Sequence, residues 1–305
     1  MTLSFHLGKI PVRIHPSFLL MAAFLGAASG DAGIVVLLVW VAVVVVSVLV
    51  HELGHASVGL LFGVQPSVEL HGMGGTTSWS GGGELSAGKR IAISLAGPGA
   101  GFVVAAIVRY GLGRSAFPPT PFGDALYEFI LLVNFSWGVL NLLPMLPLDG
   151  GNVIAQVLNL LTRGRGERPA RIVSLVLAGL AVVAGIVLQW WWPLALALSF
   201  VATNWRGLKD FAAREHDAPM RESLNQAYEA LNAKDAARVL ALARPVALQS
   251  RTTPVKAEAL QLVAFGFLLD GRVADADAAI AALPQGYAPH PQLLELRAAT
   301  AGATG

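Results

Sequence analysis

Residues 43–63, VVVVSVLVHELGHASVGLLFG, form an apolar run as long as a membrane span, yet His51, Glu52 and His55 sit near its middle. An ionisable group within lipid costs about 2.5 to 10 kcal/mol or more, depending on the reference state, so such groups point to a bound partner. The rest of the chain supports a membrane setting. Of its 305 residues 55% are hydrophobic and 13% charged, with a mean hydropathy of +0.62, whereas soluble domains carry about a quarter charged residues. The net charge of +2 gives no basic footprint for nucleic acid, and none is expected as a partner. The absence of cysteine removes disulfides, thiolate ligands and cysteine nucleophiles together, leaving imidazole, carboxylate and amide oxygen as possible metal donors.

Apolar stretches of span length fall at about 15–29, 33–63, 90–112, 124–146, 170–190 and 190–206. The first, SFLLMAAFLGAASG, follows Lys9 and Arg13 and ends in small residues like a cleavable leader. A second apolar run follows at once, so a retained span pairing with it as a hairpin is the expectation. Basic clusters at Lys9/Arg13, Lys89/Arg90, Arg163–Arg171 and Arg206–Arg214 all fall on one side of a six-span arrangement, and Asp31, Arg114, Asp124 and Trp190–Trp192 on the other. By the positive-inside rule both termini are cytoplasmic. The Gly- and Ser/Thr-rich segment QPSVELHGMGGTTSWSGGGELS reads as a β-hairpin or looped strand.

The expected fold is therefore an all-α polytopic membrane protein of about six transmembrane helices, with that short β element after the second span and a soluble C-terminal helical domain. The domains fall at 1–206 and 207–305. Within the second, LNAKDAARVLALA and LDGRVADADAAIA align at a separation of about 38 residues, faintly like tetratricopeptide repeats, whose period is about 34. Such a domain is a possible site for a protein partner.

On a helix, His51 and His55 lie on one face a turn apart, so both imidazoles can grip one ion, while Glu52 can reach water beside it. Two imidazoles, a carboxylate and a water make an open zinc site. Candidates for the third donor are Glu69, His71, Glu84, Glu128 and Asp149. Asp149 stands in NFSWGVLNLLPMLPLDGG, where Pro144 and Pro147 must break the fourth span and Gly150 and Gly151 are expected to let the backbone turn. Irregular backbone at membrane depth is tolerated where it lines a cavity, which suits a segment that turns a carboxylate inward. Asn141 is a second polar group there, fit to bind a substrate carbonyl or to bond a neighbouring helix.

The pairing of H-E-L-G-H with N-L-L-P-M-L-P-L-D-G-G resembles the site-2 protease family of intramembrane zinc metalloproteases. VRIHPSFLL, VELHGMGG and SLAGPGAG are secondary matches, and the resemblance covers about residues 5–206. It implies one zinc ion bound by His51, His55 and Asp149, water activation by Glu52 and substrate handling by Asn141. It also implies that about 66–85 meets an unfolded strand of a membrane-spanning protein substrate. The expected activity is a zinc metalloendopeptidase for regulated intramembrane proteolysis, in a bacterial inner (plasma) membrane. The alternative is a metal-binding membrane adaptor that does not cleave. Neither a PDZ-sized insertion nor a pair of CBS domains is present.

Overall fold

The computed structural model describes residues 2–27, 33–81 and 85–303. The chain forms two compact units, Met1–Trp205 and Arg206–Gly305. The first begins with a hairpin of β1 (Leu3–Leu7) and β2 (Ile10–Ile14), turning at Gly8 with φ 60°. Helices α1 (Pro16–Ala27) and α2 (Ile34–Leu61) then carry the chain back to β3 (Gln65–His71), which pairs parallel to β2. The final strand, β4 (Gly74–Ser80), is antiparallel to β3 and lies at the sheet's edge.

The β element expected at 66–85 is thus one half of a four-stranded sheet. The N-terminal hairpin was not expected, although its alternation is visible: Ile10, Val12 and Ile14 are buried between Pro11 and Arg13. Those three residues form one core with Val68 and Leu70 of β3 and Val48 and Ala56 of α2. Burial of this face fixes the sheet against the helix that carries the histidines.

Helix α3 (Ala87–Ala106) starts at Ser86, whose hydroxyl accepts from the Lys89 N–H, and continues as π-helix to Leu112. Helix α4 (Pro121–Asn141) starts at Thr120, which caps the Gly123 N–H, with Pro121 in the first turn where no N–H is needed. Next come α5 (Asp149–Leu161), α6 (Glu167–Val187) and α7 (Trp191–Asp217). Among the described residues three helices are long and apolar enough to cross a membrane: α2, α3 with its π-helical extension, and α6. Helix α6, at 21 residues, reaches roughly 31 Å, about the thickness of the hydrocarbon core. The outward residues of these helices, among them Leu38, Val46, Val103, Ile107, Leu180, Val183 and Ile186, are exposed and apolar, a surface that suits lipid and not water.

In the second unit, α8 (Met220–Asn232) and α9 (Ala236–Gln249) form one antiparallel hairpin, and α10 (Thr253–Leu269) and α11 (Val273–Ala281) a second; α12 (Pro291–Ala303) closes the core with Leu293. The core is rich in alanine (Ala227, Ala243, Ala259, Ala264, Ala276), which lets the helices approach closely. The two hairpin turns share one hydrogen-bond pattern. Lys234 N–H donates to Leu231 O and Asp235 N–H to Ala230 O; Gly271 N–H donates to Leu268 O and Arg272 N–H to Phe267 O. Both Lys234 (φ 57°) and Gly271 (φ 75°) adopt the left-handed conformation that ends a helix this way. These turns superimpose at one residue fewer than the spacing read from the sequence, because Lys234 takes the place that glycine holds in the other turn.

Candidate metal centre

The metal-binding pattern sits two-thirds of the way along α2, where His51, Glu52 and His55 are buried at 3%, 4% and 6% exposure. Two glycines let helix α3 approach this turn. A Cβ on Gly54 would fall 2.5 Å from the Ala96 carbonyl oxygen, and one on Gly97 would fall 2.3 Å from His55 Nε2 and 2.8 Å from His51 Nε2. Gly97 belongs to the SLAGPGAG stretch; its bare Cα is what leaves room for the imidazoles.

Asp149 arrives from the other side. Helix α4 stops at Asn141, and residues 142–148 run without regular structure through Pro144 and Pro147. Most of its N–H groups turn back on nearby carbonyls, and at Leu146 side chains take over. Leu146 N–H donates to Ser174 Oγ (2.8 Å) from α6, and Asn204 Nδ2 of α7 donates to Leu146 O (2.6 Å). Both side chains are fully buried, which is how broken backbone survives at this depth. Neither residue was singled out from the sequence.

The glycines after Asp149 differ from expectation. Gly150 and Gly151 lie in the first turn of α5, and neither has a positive φ. They are small because the broken segment lies against them: a Cβ on Gly150 would come within 2.2 Å of Leu142 O, and one on Gly151 within 2.3 Å of Leu146 N. The helix therefore begins at Asp149 itself, whose carboxylate sits at an N-terminus, where the helix dipole favours negative charge.

Asp149 Oδ2 lies 3.1 Å from His51 Nε2 and 3.3 Å from His55 Nε2, and the two Nε2 atoms are 3.2 Å apart. His55 Nδ1 is 2.7 Å from the Ile93 carbonyl oxygen, which accepts the ring proton and leaves Nε2 as a lone pair. That lone pair, His51 Nε2 and the Asp149 carboxylate thus face one point, a donor set of the kind that holds a divalent cation. Their spacings match the edge of a tetrahedron of zinc donors, roughly 3.3 Å for bonds of about 2.0–2.1 Å. Among the described residues this is the grouping that could hold a metal ion. The other candidates are elsewhere: Glu69 meets His15 Nε2 at 2.5 Å, His71 Nδ1 accepts from the Met73 N–H, Glu128 is on α4, and Glu84 lies outside the described residues, as does Asp31.

Glu52 is held separately, its Oε2 accepting from Thr77 Oγ1 of β4 at 2.6 Å. Asn141 is buried, and its Nδ2 donates to the Trp137 carbonyl oxygen on its own helix (2.9 Å), with no bond to a neighbouring helix among the described residues. Around these groups a small polar pocket opens, lined also by Gly75, Ser94, Pro147 and Asn152. The arrangement therefore combines a cation-binding donor set, a carboxylate fixed beside it and room for a small polar group.

Known proteins resemble this chain in sequence and in fold. Residues 122–186 match the model of peptidase family M50. The chain is 28% identical to a protein of Synechocystis sp. named "Putative zinc metalloprotease", over 48% of the chain and 41% of that protein. It is 26% identical to a zinc metalloprotease of Methanocaldococcus jannaschii, over 51% and 44%. It thus spans less than half the length of either relative. Its fold is similar to that of the site-2 protease from Methanocaldococcus jannaschii, with a TM-score of 0.51 and 21% identity over 68% of this chain and 95% of that one. The chain is thus similar in part of its sequence to zinc metalloproteases and in fold to a site-2 protease.

Proposed function

We propose that the chain is an intramembrane zinc endopeptidase that cuts a transmembrane or membrane-proximal segment of a partner protein near the cytoplasmic side. The observation that carries this reading is the convergence of His51, His55 and Asp149 on one point inside apolar helices, with Glu52 fixed beside it. A zinc ion held by those three residues would act as a Lewis acid toward water and the scissile carbonyl. Glu52 takes the proton of the attacking water and later delivers it to the leaving amine. Asn141 lines the same pocket, and in this reading its amide binds the substrate backbone near the cut.

A helical substrate hides its carbonyls in hydrogen bonds, so the segment must unwind before attack. The outer edge of β4, without a partner strand among the described residues, offers an unwound strand the backbone donors and acceptors it has lost, by β-augmentation. In this reading α1, α4 and the N-terminal half of α7 join α2, α3 and α6 as six spans, with both termini cytoplasmic in a bacterial inner membrane. Residues 207–305 form a cytoplasmic domain, tetratricopeptide-like, that binds a protein partner.

Co-expression of the chain with candidate single-span proteins tests the proposal. The intact enzyme shortens a substrate that accumulates uncut beside Glu52→Gln, and Glu52→Gln still binds zinc. Cleavage by Glu52→Gln at the wild-type rate would remove Glu52 from its role.

A further inference from the structure

Strand β4 has two distinct surfaces. Its outer edge has no partner strand among the described residues, and one of its faces touches Glu52. Side chains alternate along a strand, so Gly75 and Thr77 share the half-buried face toward α2, while Thr76 and Ser78 are exposed on the other. Gly75 pairs with Leu70 and Thr77 with Val68, and both partners are fully buried in the core between sheet and α2. The distance of this face from Glu52 is therefore set by packing.

Thr77 Oγ1 lies 2.6 Å from Glu52 Oε2 and 3.3 Å from the Glu52 carbonyl oxygen. A hydroxyl has one proton to donate, and the nearer carboxylate oxygen receives it. At Gly75 a Cβ would stand 2.4 Å from Glu52 Oε1, so the strand is bare where the second oxygen needs room. Valine would fill the volume of Thr77 and suits a strand equally well. The hydroxyl is the part that packing alone does not require.

We propose that Thr77 is a positioning residue for the hydrolysis: held by β4, its hydroxyl fixes one oxygen of Glu52 and leaves the other free to accept the proton of water. The strand that receives the peptide is then also the strand that aims the base, so a substrate that seats badly on β4 misplaces Glu52 as well. This inference rests on the protease reading of the site.

The full chain, loaded with zinc in detergent micelles, is assayed on a fluorophore-labelled single-span peptide with polar flanks. Thr77→Val is expected to lower kcat about 10- to 100-fold, with KM and bound zinc unchanged, and Thr77→Ser to recover most of that loss. Wild-type kcat in Thr77→Val overturns the inference and leaves the protease reading standing. Equal losses in the valine and serine variants, or zinc lost from Thr77→Val, also overturn it, since the hydroxyl is then not what the site uses. A zinc-loaded wild type that cuts neither this peptide nor any co-expressed single-span protein removes the protease reading, and this inference with it.

Discussion

At the scale of single residues, the donor set and the glycine beside it make separate demands. Asp149→Asn keeps the shape of the side chain but removes the negative charge that would offset a cation held by two neutral imidazoles. Zinc occupancy by elemental analysis should fall, and full occupancy would strike Asp149 from the ligands. Gly97→Ala removes no donor and acts by space alone, since its Cβ would stand 2.3 Å from His55 Nε2. The imidazole must move, and zinc affinity should drop about 10- to 100-fold, as it does when groups supporting a ligand are lost; competition with a chelator measures it. His51, Glu52, His55 and Asp149 were legible in the sequence because ionisable residues stand out against apolar surroundings. Thr77, Gly75, Gly97, Ser174 and Asn204 were not. Small polar residues and glycines are common in membrane helices and loops, and what distinguishes these is a contact with a residue far away in sequence.

Among the elements, the stretch 142–148 depends most on help from elsewhere. Ser174→Ala leaves the Leu146 N–H buried without a partner, a loss of about 1–3 kcal/mol, and loosens the segment that delivers Asp149. Both the thermal midpoint and zinc retention should fall; a change in neither would show that this bond does not hold the loop. Pro144 and Pro147 announce the break in the sequence, but the role of Gly150 and Gly151 is hidden there. Gly-Gly after proline looks like a turn, whereas close packing against Leu142 and Leu146 explains the same two residues inside a helix. The hairpin β1–β2 is hidden for a different reason: the alternation is confined to the five residues of β2, and β1 has no buried face to mark it.

In the second unit, Asp217 is the corresponding device. It is 2% exposed, and its carboxylate accepts from the Arg251 and Thr252 N–H groups and the Thr252 hydroxyl, with His216 Nδ1 at 3.0 Å. It thereby ties the end of α7 to the residues that lead into α10. Burial raises its pKa, but the hydrogen bonds from Arg251, Thr252 and His216 outweigh that and hold the pKa well below the usual carboxylate range. A depressed folded-state pKa contributes stability that is fully present above the unfolded value of about 3.9 and is lost as the pH falls below it. Acid unfolding of the helical unit should therefore steepen below about pH 4. Asp217→Ala should lower stability at neutral pH by about 2–3 kcal/mol and flatten that dependence, both measurable by denaturation followed by circular dichroism.

Across the whole molecule, the two units are built from separate cores. Val12, Val68, Leu70 and Ala56 fix the sheet on the metal helix, and Ser174 and Asn204 fix the loop of Asp149; all lie before residue 206. The core of the second unit runs from Leu224 to Leu293 and supplies no donor to the metal site. If folding of the site needs only the residues that touch it, deletion of 215–305 should leave zinc stoichiometry unchanged. The same deletion removes the surface proposed to meet a partner, so turnover of a minimal single-span peptide should persist while selection among full-length membrane proteins declines. Zinc content and the ratio of the two cleavage rates measure these effects independently. Loss of zinc on deletion would mean that the helical unit holds the catalytic fold together. An unchanged ratio would mean that it takes no part in choosing the protein to be cut.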